Sequence, residues 1–168
     1  AEAVLPMGTT TVAADPHEIA NVLGVDGVKM LCSLTRDLPL HVYIMAPSTI
    51  PSAPMLENSG AEITGKEITE MLRLPGVHGL GEVMDFLGVI NCDEKIMGII
   101  DAAKKEGVLL DGHTPLLKGK ELEAFVASGI DCDHTFMDPE IVKEKLSYGM
   151  YVQIQERFFT KELMSYLN

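Results

Sequence analysis

The sequence predicts an α/β fold with parallel strands, and two patterns along its 168 residues lead to that prediction. Short apolar or β-branched runs alternate with helical patterns six times. The predicted strands centre near residues 12, 43, 80, 110, 132 and 152, a spacing that suits βα units joined by right-handed crossovers. A doubly wound sheet and a (β/α) barrel both satisfy this pattern, although six units are too few to close an eight-stranded barrel.

The chain is expected to begin with a helical turn and one strand. Residues 1–5 have the character of a last helical turn, and residues 9–14 are β-branched and short, which favours a strand. Asp15 can cap the helix that follows, with Pro16 at its first position. The helical pattern then continues, with glycine interruptions, as far as residue 34.

The middle of the chain contains the next two predicted strands, residues 41–46 and 77–83. Three prolines within eight residues after the first of them predict a loop. Thr64 and Glu67 have the spacing of a capping box, which predicts a helix over residues 66–73. Further helices are predicted at residues 94–105, 120–128, 139–148 and 160–167, and further strands at residues 108–110, 129–134 and 150–155.

Metal-capable side chains stand at the ends of several predicted strands. His17 follows the first strand, Glu82 lies in the third, and His113 and His134 follow the fourth and fifth. The carboxyl ends of parallel strands meet at one edge of the sheet, where active sites are built. Imidazole and carboxylate ligands suit zinc, manganese and iron, and a carboxylate can bridge two such ions. The pattern therefore indicates a metal centre in which a bound ion activates water.

Each of these residues also has a plainer interpretation. A single histidine at a strand end is more often a surface or hydrogen-bonded residue, and Glu82 alone could be a solvated loop carboxylate. Asp15 and Asp138 could be helix caps only. The metal interpretation is favoured because three candidates fall at one edge of three consecutive units. Asp111 and Asp133 are expected beside them as partners that orient the imidazoles or take up protons.

The composition restricts the classes of function. A formal net charge of −12 argues against nucleic-acid binding, because neutralising phosphates needs a basic face. The chain has no Lys/Arg-rich amphipathic stretch for a membrane surface and no apolar run near the roughly 18 residues of a membrane-spanning helix. Three widely spaced cysteines do not form a disulfide framework, and no signal peptide is recognisable. A globular cytoplasmic protein is expected.

Six stretches of the chain resemble the adenine deaminase family of the amidohydrolase superfamily. They are GTTTVAADPHEIANVLGVDGV, VYIMAPSTIPSAP, LENSGAEIT, GLGEVMDF followed by GVIN, DGHTPLLKGKELEAFVASGIDCDHT and KLSYGMYVQIQE. The resemblance extends to about Glu156, and DPHEIANV and GLGEVM are its most specific parts. The family fold is a distorted (β/α)8 barrel with a small β-sandwich domain. The resemblance therefore implies a partial TIM-type barrel in which the six strands are barrel strands two to seven.

The resemblance also implies a reaction and a ligand set. Family members convert adenine to hypoxanthine and ammonia with metal-activated water, in purine salvage, at a binuclear centre of manganese or iron, with zinc as an alternative. A glutamate on the fourth barrel strand of relatives bridges two metals, and its position matches Glu82. Histidines on their fifth and sixth strands match His113 and His134. Three further residues are expected at the edge of the pocket: Asp15, His17 and Asp85.

The chain departs from the family pattern towards both ends. Relatives carry a His-x-His pair upstream, and no histidine precedes His17 here; they also carry an aspartate on an eighth strand, and no strand is predicted after Gln155. Residues 1–168 are therefore expected to form a single incomplete metallo-hydrolase barrel domain without the β-sandwich, inactive or nearly so by itself. Its open sheet edges would favour a homo-oligomer or a second chain that supplies the rest of the barrel.

Two other functions fit the same residues. One is a non-catalytic binding module that keeps the barrel but not the chemistry, which the sequence flanking this stretch would distinguish from an enzyme. The other is a metal-dependent hydrolase of another amino-purine or of a cyclic amide, because one fold hosts many reactions. A screen of substrates would separate that function from adenine deamination.

Overall fold

Six parallel strands form one curled sheet in this protein. The computed structural model describes residues 1–135, 138–156 and 163–166. The strands are β1 Thr11–Ala14, β2 His41–Ala46, β3 Val77–Val83, β4 Leu109–Gly112, β5 Cys132–Asp133 and β6 Tyr151–Val152. Each strand pairs in parallel with the next one in the chain, without the reversal of order that defines a doubly wound sheet. The predicted partial barrel is therefore confirmed, as a half-barrel with helices on its outer side.

Eight α-helices are present in the described residues. They are α1 His17–Leu23, α2 Val25–Thr35, α3 Gly65–Leu72, α4 Phe86–Ile90, α5 Glu94–Glu106, α6 Gly119–Ala127, α7 Pro139–Ser147 and α8 Leu163–Tyr166. The main core lies between these helices and the outer face of the sheet. Ile44 and Leu110 of the strands are buried against the apolar faces of α3 and α5, which contribute Ile68 and Ile99. None of the described helices is both long and apolar enough to cross a membrane.

Several local signals in the sequence set the helix boundaries as predicted. Thr64 accepts a hydrogen bond from the Lys66 N–H, and the Glu67 carboxylate accepts one from the Thr64 N–H, which completes the capping box of α3. Asp138 caps α7 by accepting hydrogen bonds from two backbone N–H groups. Gly107 ends α5 in the left-handed conformation.

Two predictions near the N-terminus are wrong, and one short helix in the middle of the chain is missed. The short turn at the start is a 3-10 helix over Leu5–Met7, because Pro6 fits the first turn of a helix rather than ending one. Asp15 does not cap α1, which begins at His17 and has no side-chain cap. The five-residue helix α4 was not predicted, since an apolar run as short as Phe86–Ile90 has too few residues to show a helical period.

The strand β6 is shorter than expected. β6 covers two residues, Tyr151–Val152, of the six predicted. The final helix is described only as Leu163–Tyr166, and the remainder of the prediction, residues 160–162 and 167, lies outside the described residues.

The inner face of the half-barrel is open. Tyr43, Leu109 and Tyr151 point onto it from three strands and are 45%, 46% and 75% exposed. Because side chains alternate along a strand, the neighbouring residues point to the helical layer, and the two faces of the sheet carry different chemistry. The functional candidates lie on the open face, at its carboxyl edge.

Candidate metal centre

Alternate residues of the strands line a cavity of about 560 Å³ on the inner face of the sheet. Titratable side chains gather at the carboxyl edge of this cavity, where Asp15, Glu82, Asp111 and His134 come from four different strands or strand ends. The sequential order of the sheet produces this gathering, because parallel strands in register present their carboxyl ends side by side.

Glu82 makes close contacts with two imidazoles. Its Oε2 atom lies 2.5 Å from His113 Nδ1 and 2.9 Å from His134 Nε2. The two imidazole rings stand edge to face, with centroids 5.5 Å apart. One ligand atom from each of these three residues lies within 4.8 Å of the others, which is close enough for one cation. The structure therefore brings together the three residues that the sequence singles out.

Asp111 orients one of these imidazoles. Its Oδ2 atom lies 3.3 Å from His134 Nδ1, on the side of the ring opposite Glu82. A carboxylate at this nitrogen holds the proton on Nδ1 and leaves Nε2 free to bind a metal. The Cys132 thiol in turn donates a hydrogen bond of 3.0 Å to Asp111 Oδ1. Asp111 thus has the orienting position that the sequence predicts, although the ring that it contacts is not the one nearest in the chain.

Asp15 and His17 form a second group with the same glutamate. His17 Nδ1 lies 3.2 Å from Asp15 Oδ1 and 3.8 Å from Glu82 Oε1. Ligand atoms of the three residues again lie within 4.8 Å of one another. Glu82 is therefore shared, with Oε2 towards the first group and Oε1 towards the second.

Two buried atoms of the second group lack hydrogen bonds, as expected of ligands that a cation would complete. Three buried side-chain atoms of the described residues have no hydrogen-bond partner; two are His17 Nε2 and Asp15 Oδ1, and the third is Asn21 Oδ1. Buried polar atoms are rarely left unpaired, so each requires an explanation. Imidazole nitrogens and carboxylate oxygens are ligands for divalent ions, and a cation between them would satisfy these atoms.

The backbone of Glu82 is fixed by two hydrogen bonds. Asp15 Oδ2 accepts a hydrogen bond of 2.8 Å from the Glu82 N–H, and the buried Ser48 hydroxyl donates one of 2.6 Å to the Glu82 carbonyl. Gly81 makes the first contact possible, because a Cβ atom there would collide with the Asp15 carboxylate. This contact explains why Asp15 does not cap α1: its carboxylate lies against β3 instead.

Mutual contacts shift the pKa values of the central groups in opposite directions. Hydrogen bonds from His113 and His134 hold the pKa of Glu82 well below its ordinary range. Hydrogen bonds to Asp111 and Glu82 raise the pKa of His134 to about 10. Burial lowers the pKa of His17. In the metal-free protein Glu82 is therefore ionised and His134 is a protonated, positively charged imidazole. A metal ion that binds to His134 must displace its extra proton.

The buried carboxyl of Asp15 predicts a dependence of stability on pH. Burial raises its pKa from 3.8 to about 7 in the folded protein. Between these values the folded state binds more protons than the unfolded state, so this group lowers the free energy of unfolding as the pH rises from about 4 to 7. We expect Asp15→Asn to remove this decrease, which is on the order of a few kcal/mol.

Urea unfolding of the metal-free protein at pH 5 and pH 8 tests this expectation. The wild type and Asp101→Asn, which changes an exposed carboxylate of α5, should lose stability between the two pH values. Asp15→Asn should lose less, and equal losses in all three proteins would contradict the assignment.

Two predicted site residues do not join the cluster. Asp85 accepts a hydrogen bond of 2.9 Å from the Gly88 N–H as the N-cap of α4, and it lines a separate cavity beside the loop after β2. Asp133 contacts no imidazole in the described structure, so it is not the direct imidazole partner that Asp111 is. It ends β5 directly before His134, and successive side chains of an extended chain point to opposite faces. Asp133 therefore points away from the open face into the helical layer.

The partners of Asp133 were not predicted from the sequence. Its carboxylate accepts hydrogen bonds from Thr114 and Thr135 and pairs with Lys145 of α7 at 2.9 Å. Lys145 and Asp133 are both completely buried. One signal was available, because Lys145 stands four residues after Ile141, on the face of α7 that is otherwise apolar.

Comparison with known proteins places these residues in a family. The model of the amidohydrolase family matches residues 1–162. The chain is 42% identical to adenine deaminase 2 of Carboxydothermus hydrogenoformans over 167 residues, which are 99% of the chain and 29% of that protein. It is 46% identical to the adenine deaminase of Archaeoglobus fulgidus over 165 residues, which are 98% of the chain and 29% of that protein. For the adenine deaminase of Halalkalibacterium halodurans the identity is 44% over 162 residues, 96% of the chain and 28% of that protein.

These matches cover almost the whole chain, which spans less than a third of the length of the relatives. Members of this family act as hydrolases with a divalent metal, and the half-barrel described above offers two carboxylate–imidazole groups for one. The chain belongs to the amidohydrolase family.

Proposed function

We propose that this chain carries a divalent-metal centre for the hydrolytic deamination of adenine to hypoxanthine and ammonia. Glu82, His113 and His134 hold the ion, with manganese or iron favoured over zinc. The observation that carries the proposal is the convergence of these three side chains within 4.8 Å at the carboxyl edge of the half-barrel. The relatives that share 42–46% of its residues are named adenine deaminases, which supports adenine as the substrate.

The residues of the chain have separable roles in this proposal. His113 Nδ1, His134 Nε2 and Glu82 Oε2 converge on one position, and Asp111 keeps His134 in the tautomer that binds through Nε2. A divalent ion held by these residues would supply a water of lowered pKa as the nucleophile for C6 of adenine. The amino group leaves as ammonia, so one water enters and one ammonia leaves in each turnover.

A binuclear centre is the finer part of the proposal. It is supported by the two oxygens of Glu82, which face the two separate ligand groups. Asp15 and His17 face the second position. Asp15 has a pKa of about 7, which suits a group that takes up a proton at one stage and releases it at another near neutral pH.

We also propose that the protein works in the cytoplasm, in adenine catabolism and salvage. Its cysteines Cys32, Cys92 and Cys132 are free thiols, which is typical of a reducing compartment. The open inner face, with Leu109 and Tyr151 exposed, supports closure of the barrel by a second copy or by a further segment of polypeptide.

The decisive experiment is an assay of the protein expressed from its complete gene and loaded with Mn²⁺. We expect ammonia and hypoxanthine to appear in equal amounts from adenine. His113→Asn, which removes one metal ligand, should lower the rate by more than about 100-fold. The same assay with another amino-purine and with a cyclic amide tests the alternative substrates. Metal-loaded protein that releases no ammonia from adenine would refute the proposal.

A further inference from the structure

A buried ionic network lies directly behind the candidate metal centre. Asp133 of β5 and Lys145 of α7 are fully buried and 2.9 Å apart at Oδ2 and Nζ. Thr114 and Thr135, also buried, complete the network. Each threonine is the residue immediately after an imidazole of the centre, His113 or His134.

Each oxygen of the Asp133 carboxylate serves one of the two imidazole strands. Oδ2 accepts hydrogen bonds from the Thr114 N–H, at 2.9 Å, and from the Thr114 hydroxyl. Oδ1 accepts hydrogen bonds from the Thr135 N–H and hydroxyl, both at 2.7 Å. Lys145 Nζ donates to Oδ2 and also to the Thr114 carbonyl, at 2.8 Å. A single rigid carboxylate therefore joins the chain after His113 to the chain after His134.

We propose that Asp133, held in place by Lys145, is a positioning residue that sets the distance and orientation between the imidazoles of His113 and His134. The inference rests on the proposed function, because that function gives the two imidazoles a common ion to bind. Asp133 touches neither the metal position nor the substrate cavity, so it acts only through the backbone of the two strand ends.

Stability alone does not account for this arrangement. Burying two opposite charges is generally no more favourable than packing apolar side chains of similar volume in their place. The network is instead specific in its connections, because all four threonine donors come from the two segments that follow the imidazoles. The backbone pairing between β4 and β5 is short and consists of two residue pairs, Asp111 with Cys132 and Gly112 with Asp133. The carboxylate extends that connection beyond the last ladder pair.

The network has two arms: the hydrogen bonds of Thr114, next to His113, and those of Thr135, next to His134. Each arm can be changed separately in the metal-free full chain. Thr114→Val removes a hydroxyl donor from the His113 arm, and Thr135→Val removes one from the His134 arm, each with little change of volume. The readout is the imidazole nitrogen and carbon resonances of His113 and His134 in NMR spectra. We expect Thr114→Val to shift mainly the His113 signals and Thr135→Val mainly the His134 signals. Thr114→Ser and Thr135→Ser, which keep the hydroxyl, should restore the wild-type signals.

Metal affinity is the second readout. Asp133→Asn presents an amide N–H₂ to one arm and should weaken Mn²⁺ binding by roughly 10- to 100-fold, the usual effect of changing a group that supports a ligand. Val142→Ala is the matched control, because it loosens α7 at a position that packs in a small apolar cluster away from the network. At a comparable loss of stability it should leave the imidazole signals and the affinity unchanged.

The positioning role is supported if each valine variant shifts mainly the signals of its neighbouring imidazole and the corresponding serine variant does not. The inference fails if both valine variants leave both imidazoles at their wild-type signals, or if Val142→Ala shifts them equally. Since the NMR readout needs neither metal nor adenine, a wild-type chain that binds no Mn²⁺ would count against the proposed function and leave the test of Asp133 intact.

Discussion

Replacing Glu82 by glutamine is expected to lower the affinity for Mn²⁺ by about 100-fold or more and to abolish adenine-dependent ammonia release. Changes in groups that merely support a metal ligand already cost 10- to 100-fold, and Glu82 is the residue common to both ligand groups. Glutamine keeps the shape of the side chain, so the backbone contacts of Glu82 with Asp15 and Ser48 can persist. What is lost is the negative charge and one acceptor oxygen.

The same substitution should change the metal-free protein in a way that does not depend on activity. His134 is paired with two carboxylates, Asp111 and Glu82, and together they raise its pKa to about 10. With glutamine in place of Glu82, only Asp111 remains, and the pKa of His134 should fall towards its ordinary value. An NMR titration of the imidazole resonances between pH 5 and pH 11 measures this fall.

A matched control separates the site from a general effect of charge. Glu121→Gln makes the same change at an exposed position in the first turn of α6. We expect this variant to keep wild-type metal affinity, ammonia release and His134 titration. If Glu82→Gln binds Mn²⁺ as tightly as the wild type, Glu82 is not a ligand and the proposed centre is wrong.

The alternation of strands and helices and the strand-end cluster follow from short-range patterns in the sequence, whereas the choice of a barrel over a doubly wound sheet rests on the family resemblance. β2 and β3 match their predicted bounds, since each is a run of strand-forming residues enclosed by loop or turn signals. His113 and His134 come close to Glu82 because parallel strands in chain order leave little freedom at their carboxyl ends.

The details that the sequence does not reveal depend on contacts between distant segments. Asp111 stands two residues before His113 and Asp133 directly before His134, so alternation along the strand already places them on opposite faces. Which groups meet Asp133 on the helical side is not visible in the sequence, because it depends on how α7 packs. Likewise, the choice of Asp15 between capping α1 and bonding to the Glu82 N–H depends on Gly81, in a strand 66 residues away in the chain.

Lys145→Met is expected to lower the free energy of unfolding by about 3–5 kcal/mol, although Lys145 lies outside the candidate centre. Methionine fills the volume of the lysine stem but leaves the fully buried Asp133 carboxylate without its cation. Lys143→Met on the same helix is the control, because Lys143 is 72% exposed and its ion pair is with the exposed Glu140. It should change stability by less than about 1 kcal/mol.

A double-mutant cycle identifies the unpaired charge as the cause. Asp133→Asn alone leaves Lys145 buried without its anion, whereas the combination with Lys145→Met removes both charges. The double variant should therefore be more stable than the sum of the two single losses predicts, which urea unfolding measures directly. Simple additivity would show that the pair is not coupled.

The pH dependence of stability gives a second, independent test that the unpaired Asp133 carboxylate causes the loss in Lys145→Met. In the wild type, the hydrogen bonds of Thr114 and the charge of Lys145 outweigh burial and hold the pKa of Asp133 below its ordinary value. Its contribution to stability is therefore present above about pH 4 and is lost as the pH falls through the lower folded value. Without Lys145 burial raises that pKa, so the carboxyl takes up a proton more readily on acidification. The deficit of Lys145→Met relative to the wild type should thus be largest near pH 7 and narrow towards pH 4, whereas a deficit caused by poor packing would not follow the pH.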